Sequence, residues 1–230
     1  ELSASLRSCA RKDDADSIRE QLIGKEHLID VGDPSELENS ALHVAVMSRN
    51  HHALDALLQC KASPDVRDAA SCTPLHSAAL VGDAHAIVQL FENKATLNLS
   101  SNLFQTALHF AAQEGNLDAL SCLIHLGAEV DVQDLRKNTP LHVAVTYRFG
   151  ECVKALLLGG ANILLKNEHG RTVWHETQHH RSVEGVKAAN ADHIRGHDEI
   201  GGWVHQVMTR ERHLSERACP SKQRDRSYLH

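Results

Sequence analysis

The 230-residue chain holds 18 His and 6 Cys, the side chains best suited to bind metal or move protons near neutral pH. They open three possibilities: a metal centre, acid–base catalysis, or one structural bond made many times. His175/His179 and His193/His197 have i, i+4 spacing, which sets both rings of a pair on one helical face. Zinc uses such pairs but needs a third and usually a fourth ligand. No HExxH motif accompanies them, no Cys stands at ligand spacing, and Cys219 is isolated. The Cys residues form no CxxC pair, which argues for reduced thiols rather than a disulfide framework. No GxSxG, phosphate-binding loop or dinucleotide fingerprint appears. Asp13-Asp14 and Asp198-Glu199 read as solvated carboxylates, and Cys72 as a loop thiol without an activating partner. We therefore expect no catalytic residue, no metal, no cofactor and no small-molecule substrate.

The spacing of the histidines points to the third possibility. His43, His76, His109, His142 and His175 follow one another at steps of 33. Their neighbours repeat with them, as Ser40-Ala41-Leu42-His43, Thr73-Pro74-Leu75-His76, Thr106-Ala107-Leu108-His109, Thr139-Pro140-Leu141-His142 and Thr172-Val173-Trp174-His175. Small residues recur two and three places later, from Ala45-Val46 to Ala144-Val145. A second apolar block recurs at Leu57-Leu58, Leu90-Phe91, Leu123-Ile124 and Leu156-Leu157. Each unit thus predicts two short helices. Thr caps the first by accepting an orphan N–H, and Pro follows at a position that needs no donor. Gly82 and Gly115 mark the turn between helices, and Gly127 and Gly160 a left-handed stop after the second. Five histidines set on five successive units cannot converge on one ion.

The period of 33 and the Thr-Pro-Leu-His blocks resemble the ankyrin repeat family over about residues 40–194. The resemblance implies an all-α solenoid of stacked helix–turn–helix units with projecting β-hairpin-like loops. It also implies that the period histidines make a structural bond near the Thr of their own block. Lys61 and Lys94 replace the family's stop glycine and Phe104 a loop glycine, so left-handed backbone is expected at three side-chain-bearing residues. Residues 1–39 read as a divergent N-terminal capping repeat, with Arg7 in place of His and three inserted residues near Gly32-Asp33-Pro34. The last block of 40–194 is degenerate: Thr177-Gln178 replace the small pair, and Val183, Val186 and Ala189 form a weak second helix. Residues 195–230 read as a helical extension and basic flexible tail. Its apolar residues Trp203, Val204, Val207, Met208 and Leu214 can pack on the last unit, fold into the groove or dock a partner.

The family binds proteins through a concave groove of first helices and loop tips. Carried over residue by residue, that face has twelve chief positions, Met47, Leu80, Val81, Leu103, Phe104, Gln113, Glu114, Leu135, Arg136, Tyr147, His169 and Arg171, with Gln105, Asn138 and Thr146 among the variable positions beside them. Leu80, Val81, Leu103, Phe104, Leu135 and Tyr147 are apolar where solvent favours polar residues. They form either one exposed contact patch or, for Leu103 and Phe104, a fold-back onto the neighbouring loop. Residues 1–175 carry 15 basic and 22 acidic side chains, whereas 176–230 carry 9 and 8. An acidic solenoid disfavours nucleic-acid backbone and suits a basic or mixed protein partner. No apolar run approaches the ~18 residues of a membrane span, and no secretory pattern is visible. The expectation is a non-catalytic scaffold or adaptor for a protein partner, cytoplasmic or nuclear. The alternatives are a regulatory or recruiting region of a larger enzyme or transport protein, and a structural subunit of a large assembly.

Overall fold

A computed structural model of the chain describes residues 2–23, 30, 39–184, 200–207 and 209. They form an all-α solenoid, with no strand among the described residues. Among the described residues, ten helices come in five pairs and an eleventh opens a sixth unit, and each unit is identified below by its His, or by Arg7 in the first. The Arg7 unit pairs α1 (Leu2–Arg11) with α2 (Ala15–Leu22), and the His43 unit α3 (Ala41–Met47) with α4 (His51–Gln59). The His76 unit pairs α5 (Pro74–Val81) with α6 (Ala84–Glu92), and the His109 unit α7 (Ala107–Glu114) with α8 (Leu117–His125). The His142 unit pairs α9 (Pro140–Thr146) with α10 (Gly150–Leu158), and α11 (Val173–Glu184) opens the His175 unit. First helices stack in the order α1, α3, α5, α7, α9, α11, and second helices in the order α2, α4, α6, α8, α10.

Helices of seven to twelve residues are too short to stand alone in water, so burial between neighbours holds them. The Leu of each block is sealed: Leu42, Leu75, Leu108 and Leu141 are at most 2% exposed. The small pairs Ala78-Ala79 and Ala111-Ala112 are fully buried, which lets first helices approach closely. Leu54, Leu57, Ile87, Leu90, Leu120, Leu123 and Leu156 fill the layer between first and second helices. A core assembled from thin leucine and alanine layers has little room for rings.

Left-handed backbone punctuates every unit. Lys61 (φ 66°), Lys94 (φ 73°) and Phe104 (φ 57°) adopt it as expected. So do Arg49 and Arg148 at the turn between helices, and Ser71 and Lys137 in the loops, where neither Gly nor strain was anticipated. Asparagine side chains of the following residue hold this turn: Asn50 donates to the Ala10 carbonyl, and Asn116 to the carbonyls of Ala79 and Leu80.

One expectation is corrected at the C-terminal end. Val183 does not begin a second helix, because α11 runs on through Glu184; no Gly, Asn or Asp stands at 181–182 to stop it. Val186, Ala189, Met208, Leu214 and the His193/His197 pair lie outside the described residues, as does the insertion near 32–34. Of the courses open to the extension, residues 200–207 take packing on the last units, as a helical run. Ile200, which the apolar spacing had not singled out, and Val204 are buried, and Trp203 lies against Gly150 with the Lys154 ammonium 5.9 Å from its ring centre.

Candidate binding face

Four projecting loops of one design connect the units. Each closes through a backbone bond across its tip: Asp68 to Cys72, Ser101 to Gln105, Asp134 to Asn138 and Asn167 to Arg171, all N–H to carbonyl at 2.9–3.0 Å. The first side chain of each loop accepts two more N–H groups, as Asp134 Oδ1 does from Arg136 (2.9 Å) and Asn138 (2.7 Å). A left-handed residue follows the tip: Ser71, Phe104, Lys137 or Gly170. Successive tips are tied by one backbone bond of 2.9 Å each, from Asn102 N–H to Ala70, Leu135 N–H to Leu103 and Glu168 N–H to Arg136. With their backbones so engaged, the tip side chains point outward.

The period histidines dock each loop to the unit before it. The Nε2 of His43, His76, His109 and His142 contacts the carbonyls of Cys72, Gln105, Asn138 and Arg171 at 3.0–3.3 Å. A carbonyl only accepts, so Nε2 carries the proton. The Nδ1 of His76 faces the backbone N–H of Thr73 at 3.0 Å and its hydroxyl at 2.9 Å, and His109 and His142 repeat this with Thr106 and Thr139. An N–H only donates, so Nδ1 is bare. The ring is therefore neutral, with both nitrogens used. The expected Thr cap is present as a capping box at Thr73, Thr106 and Thr139: the Thr oxygen faces the N–H of the block His, at 3.4 Å for Thr139 and His142, while the imidazole takes the Thr N–H. Burial pushes all four of these imidazoles below their ordinary range, His76 to about 4, and the carbonyl bond offsets part of that. His175 keeps the Thr172 contact at 2.7 Å but is exposed.

Among the described residues no cluster of His, Cys, Asp and Glu is arranged to hold a metal. Burial raises the thiols of Cys72 and Cys152 to about 11, the state of an inert protonated sulfur.

Five of the twelve carried-over face residues meet in one hollow of about 300 Å³. Leu103, Gln113, Leu135, Arg136 and Tyr147 line it, together with Gln105, Asp134, Asn138, Val143 and Thr146. Leu103, Leu135 and Tyr147 are 56%, 60% and 54% exposed, so they stand around the hollow rather than fold back. Phe104 is equally exposed but outside it, on its left-handed backbone. Met47 is exposed at the end of α3, and Leu80 and half-buried Val81 spend their carbonyls on Asn116 and the Arg49 guanidinium. Glu114 takes the Gln113 amide at 3.3 Å, His169 lies 3.5 Å from the Glu168 carboxylate, and Arg171 lies 3.7 Å from Glu176. Asp134 and Val143 were missed. Asp134 carries a legible signal, since Asp, Ser or Asn opens every loop; Val143, one place after the block His, carries none.

No helix among the described residues is long and apolar enough to cross a membrane. A family model described as ankyrin repeats (3 copies) matches the chain over residues 6–101 and again over 82–167. No curated protein sequence matches it.

Proposed function

The chain belongs to the ankyrin-repeat family, and from that premise we propose that it is a scaffold or adaptor holding one partner protein against its loop tips and first helices, with no chemistry of its own. Ankyrin repeats in general are protein–protein interaction modules. The observation that carries the finer reading is the hollow between the His109 and His142 units. Leu103 and Leu135, tied to each other by a backbone bond, and Tyr147 on the same hollow remain in solvent, at a cost that only a covering partner recovers. An aromatic flanked by aliphatic anchors and one Arg is the composition that dominates binding energy at protein contacts. The amides of Gln113, Gln105 and Asn138 supply hydrogen bonds for a partner backbone at the rim.

Met47, Leu80, Val81, Phe104, Glu114, His169 and Arg171 extend this face to either side of the hollow. The acidic charge of residues 1–175 favours a partner segment of basic or mixed charge and disfavours nucleic acid. We place the protein in the cytoplasm or nucleus, where its unpaired thiols stay reduced. The module is organised as a capping repeat over 1–39, repeats over 40–194 and an extension over 195–230.

The test is affinity capture from native lysate with the unmodified chain and with the Leu103→Glu/Tyr147→Ala variant. The double variant should lose the captured partner while keeping its helical circular dichroism. Equal capture by both would remove the groove from the account.

A further inference from the structure

The last position of the four projecting loops carries Cys72, Gln105, Asn138 and Arg171, and the carboxamide pair is the one that lines the hollow. The backbone of both is already spent. The Gln105 carbonyl takes the Ser101 N–H and faces His76 Nε2, and the Asn138 carbonyl takes the Asp134 N–H and faces His109 Nε2. Their own N–H groups go to Ser101 Oγ and Asp134 Oδ1. Their side chains are half-buried yet make no hydrogen bond among the described residues. The third carboxamide of the hollow, Gln113 on α7, donates to Glu114 and keeps its oxygen unengaged among the described residues.

Each carboxamide offers N–H donors and one carbonyl oxygen. A helix keeps its backbone bonds within itself, so a helical partner would cover these amides without pairing them. An extended segment brings free N–H and carbonyl groups to the same places.

Charge narrows the choice further. Asp134 and Arg136 are the charged side chains that line the hollow. Asp134 turns Oδ1 to the N–H groups of Arg136 and Asn138. Arg136 is held on both sides of its backbone, its N–H on Asp134 and its carbonyl on the Glu168 N–H. Its exposed guanidinium forms no ion pair among the described residues, and neither does the exposed ammonium of Lys137 beside it. A cation thus stands at a fixed place next to Leu103, Leu135 and Tyr147. The acidic excess of residues 1–175 does not cancel it. Part of that acid lies away from the groove, on the second helices, as Asp55, Glu92, Asp118 and Glu151. Its field is screened within about 8 Å, whereas a partner carboxylate would touch the guanidinium.

We infer that the hollow reads an extended partner segment carrying a large apolar side chain and, close by, an Asp or Glu. The apolar side chain enters among Leu103, Leu135 and Tyr147, the backbone pairs with the carboxamides of Gln105 and Asn138, and the carboxylate meets Arg136. This rests on the groove contact proposed above and specifies its mixed charge: acidic at this point, neutral or basic elsewhere. Leu103 and Arg136 hold the same tip position in successive loops. Stacked helices lie ~10 Å apart and extended backbone advances ~3.3 Å per residue, so the acid falls within about three residues of the apolar anchor.

The test is a display library of random peptides selected on the full chain and counter-selected on Leu103→Glu/Tyr147→Ala. Peptides that need the hollow should carry an Asp or Glu at one fixed distance from a large apolar residue. Selection on Arg136→Glu should place Lys or Arg at that same position, and an acidic peptide should bind this variant at least about tenfold more weakly. A selected peptide should lose about fivefold on Gln105→Leu and again on Asn138→Leu, with the helical circular dichroism of each variant unchanged. An α-aminoisobutyric acid beside the apolar residue of the peptide, which enforces helical backbone, should weaken binding without any change to the protein. Hollow-dependent peptides without an acid, an acid retained on Arg136→Glu, or tighter binding of the helix-enforced peptide would overturn the inference and leave the groove contact standing. Failure to enrich any hollow-dependent peptide would also overturn it, while lysate capture with the double variant decides the groove contact separately.

Discussion

Acidification should unlock the loops from the helices well before any carboxylate titrates. His76 shows the size of the effect. Its Nε2–H donates to Gln105 and its Nδ1 accepts from Thr73, so a second proton has nowhere to go without breaking the Thr73 bond. Burial is the main cause of its low value of about 4; the Gln105 carbonyl opposes it, the Arg67 guanidinium adds to it, Asp68 opposes and His43 adds. In the unfolded chain the ring titrates near 6.5. Between those values the unfolded chain binds more protons, so stability rises with pH there and is complete above about 6.5. From about pH 7 to about pH 5 His76 alone removes roughly 2 kcal/mol, and its full contribution is about 3 kcal/mol. His43, His109 and His142 are shifted in the same direction by the same burial and add to the loss. Asp30, raised by burial, acts oppositely but only near and above its ordinary 3.8. Urea unfolding followed by helical circular dichroism in steps of pH measures the sum. A loss of at least about 2 kcal/mol by about pH 5 is expected. Stability that is flat or rising from about pH 7 to about pH 5 would refute neutral, doubly bonded imidazoles.

Three substitutions test the packing and the backbone. Lys94→Gly relieves a side chain at φ 73° on an exposed residue and should raise stability by about 1 kcal/mol; a lowered melting temperature would contradict it. Leu108→Ala, at 1% exposure in the centre of the stack, should cost ~2–5 kcal/mol in denaturant midpoint, and a cost under about 1 kcal/mol would mean that the layers close over the gap. At Gly115, with φ 71°, an added Cβ would run into the Phe149 ring, so Gly115→Ala should destabilise by roughly 2 kcal/mol; a neutral melt would show the ring free to move.

The stack was legible in the sequence because the block His does the same work in the His43, His76, His109 and His142 units. Each His meets a loop carbonyl 29 residues on and each Thr the His of its own block, and both contacts recur every 33 residues, so the period carries the geometry with it. The left-handed positions were legible only where a family glycine was conspicuously replaced, as at Lys61, Lys94 and Phe104. Arg49 and Arg148 were not, since the turn that strains them is held in part by other residues, such as Asn50 reaching back to Ala10. At the site, exposure of Leu103, Leu135 and Tyr147 followed from their register. Their convergence with Val143 and Asp134 did not, because it depends on how closely adjacent units stack, a distance no single unit encodes. The overrun of α11 and the docking of Trp203 on α10 lie outside the period and left no repeating signal to read.

The central claim is that a partner covers the hollow between the His109 and His142 units. A hydrogen-exchange footprint of the complex with the captured partner tests it most directly. The account predicts slowed exchange at residues 101–105, 134–138 and 143–147, with no change along the outer helix that carries Val88 and Phe91. Protection confined to that outer helix, with 101–105 and 134–138 unchanged, would contradict it.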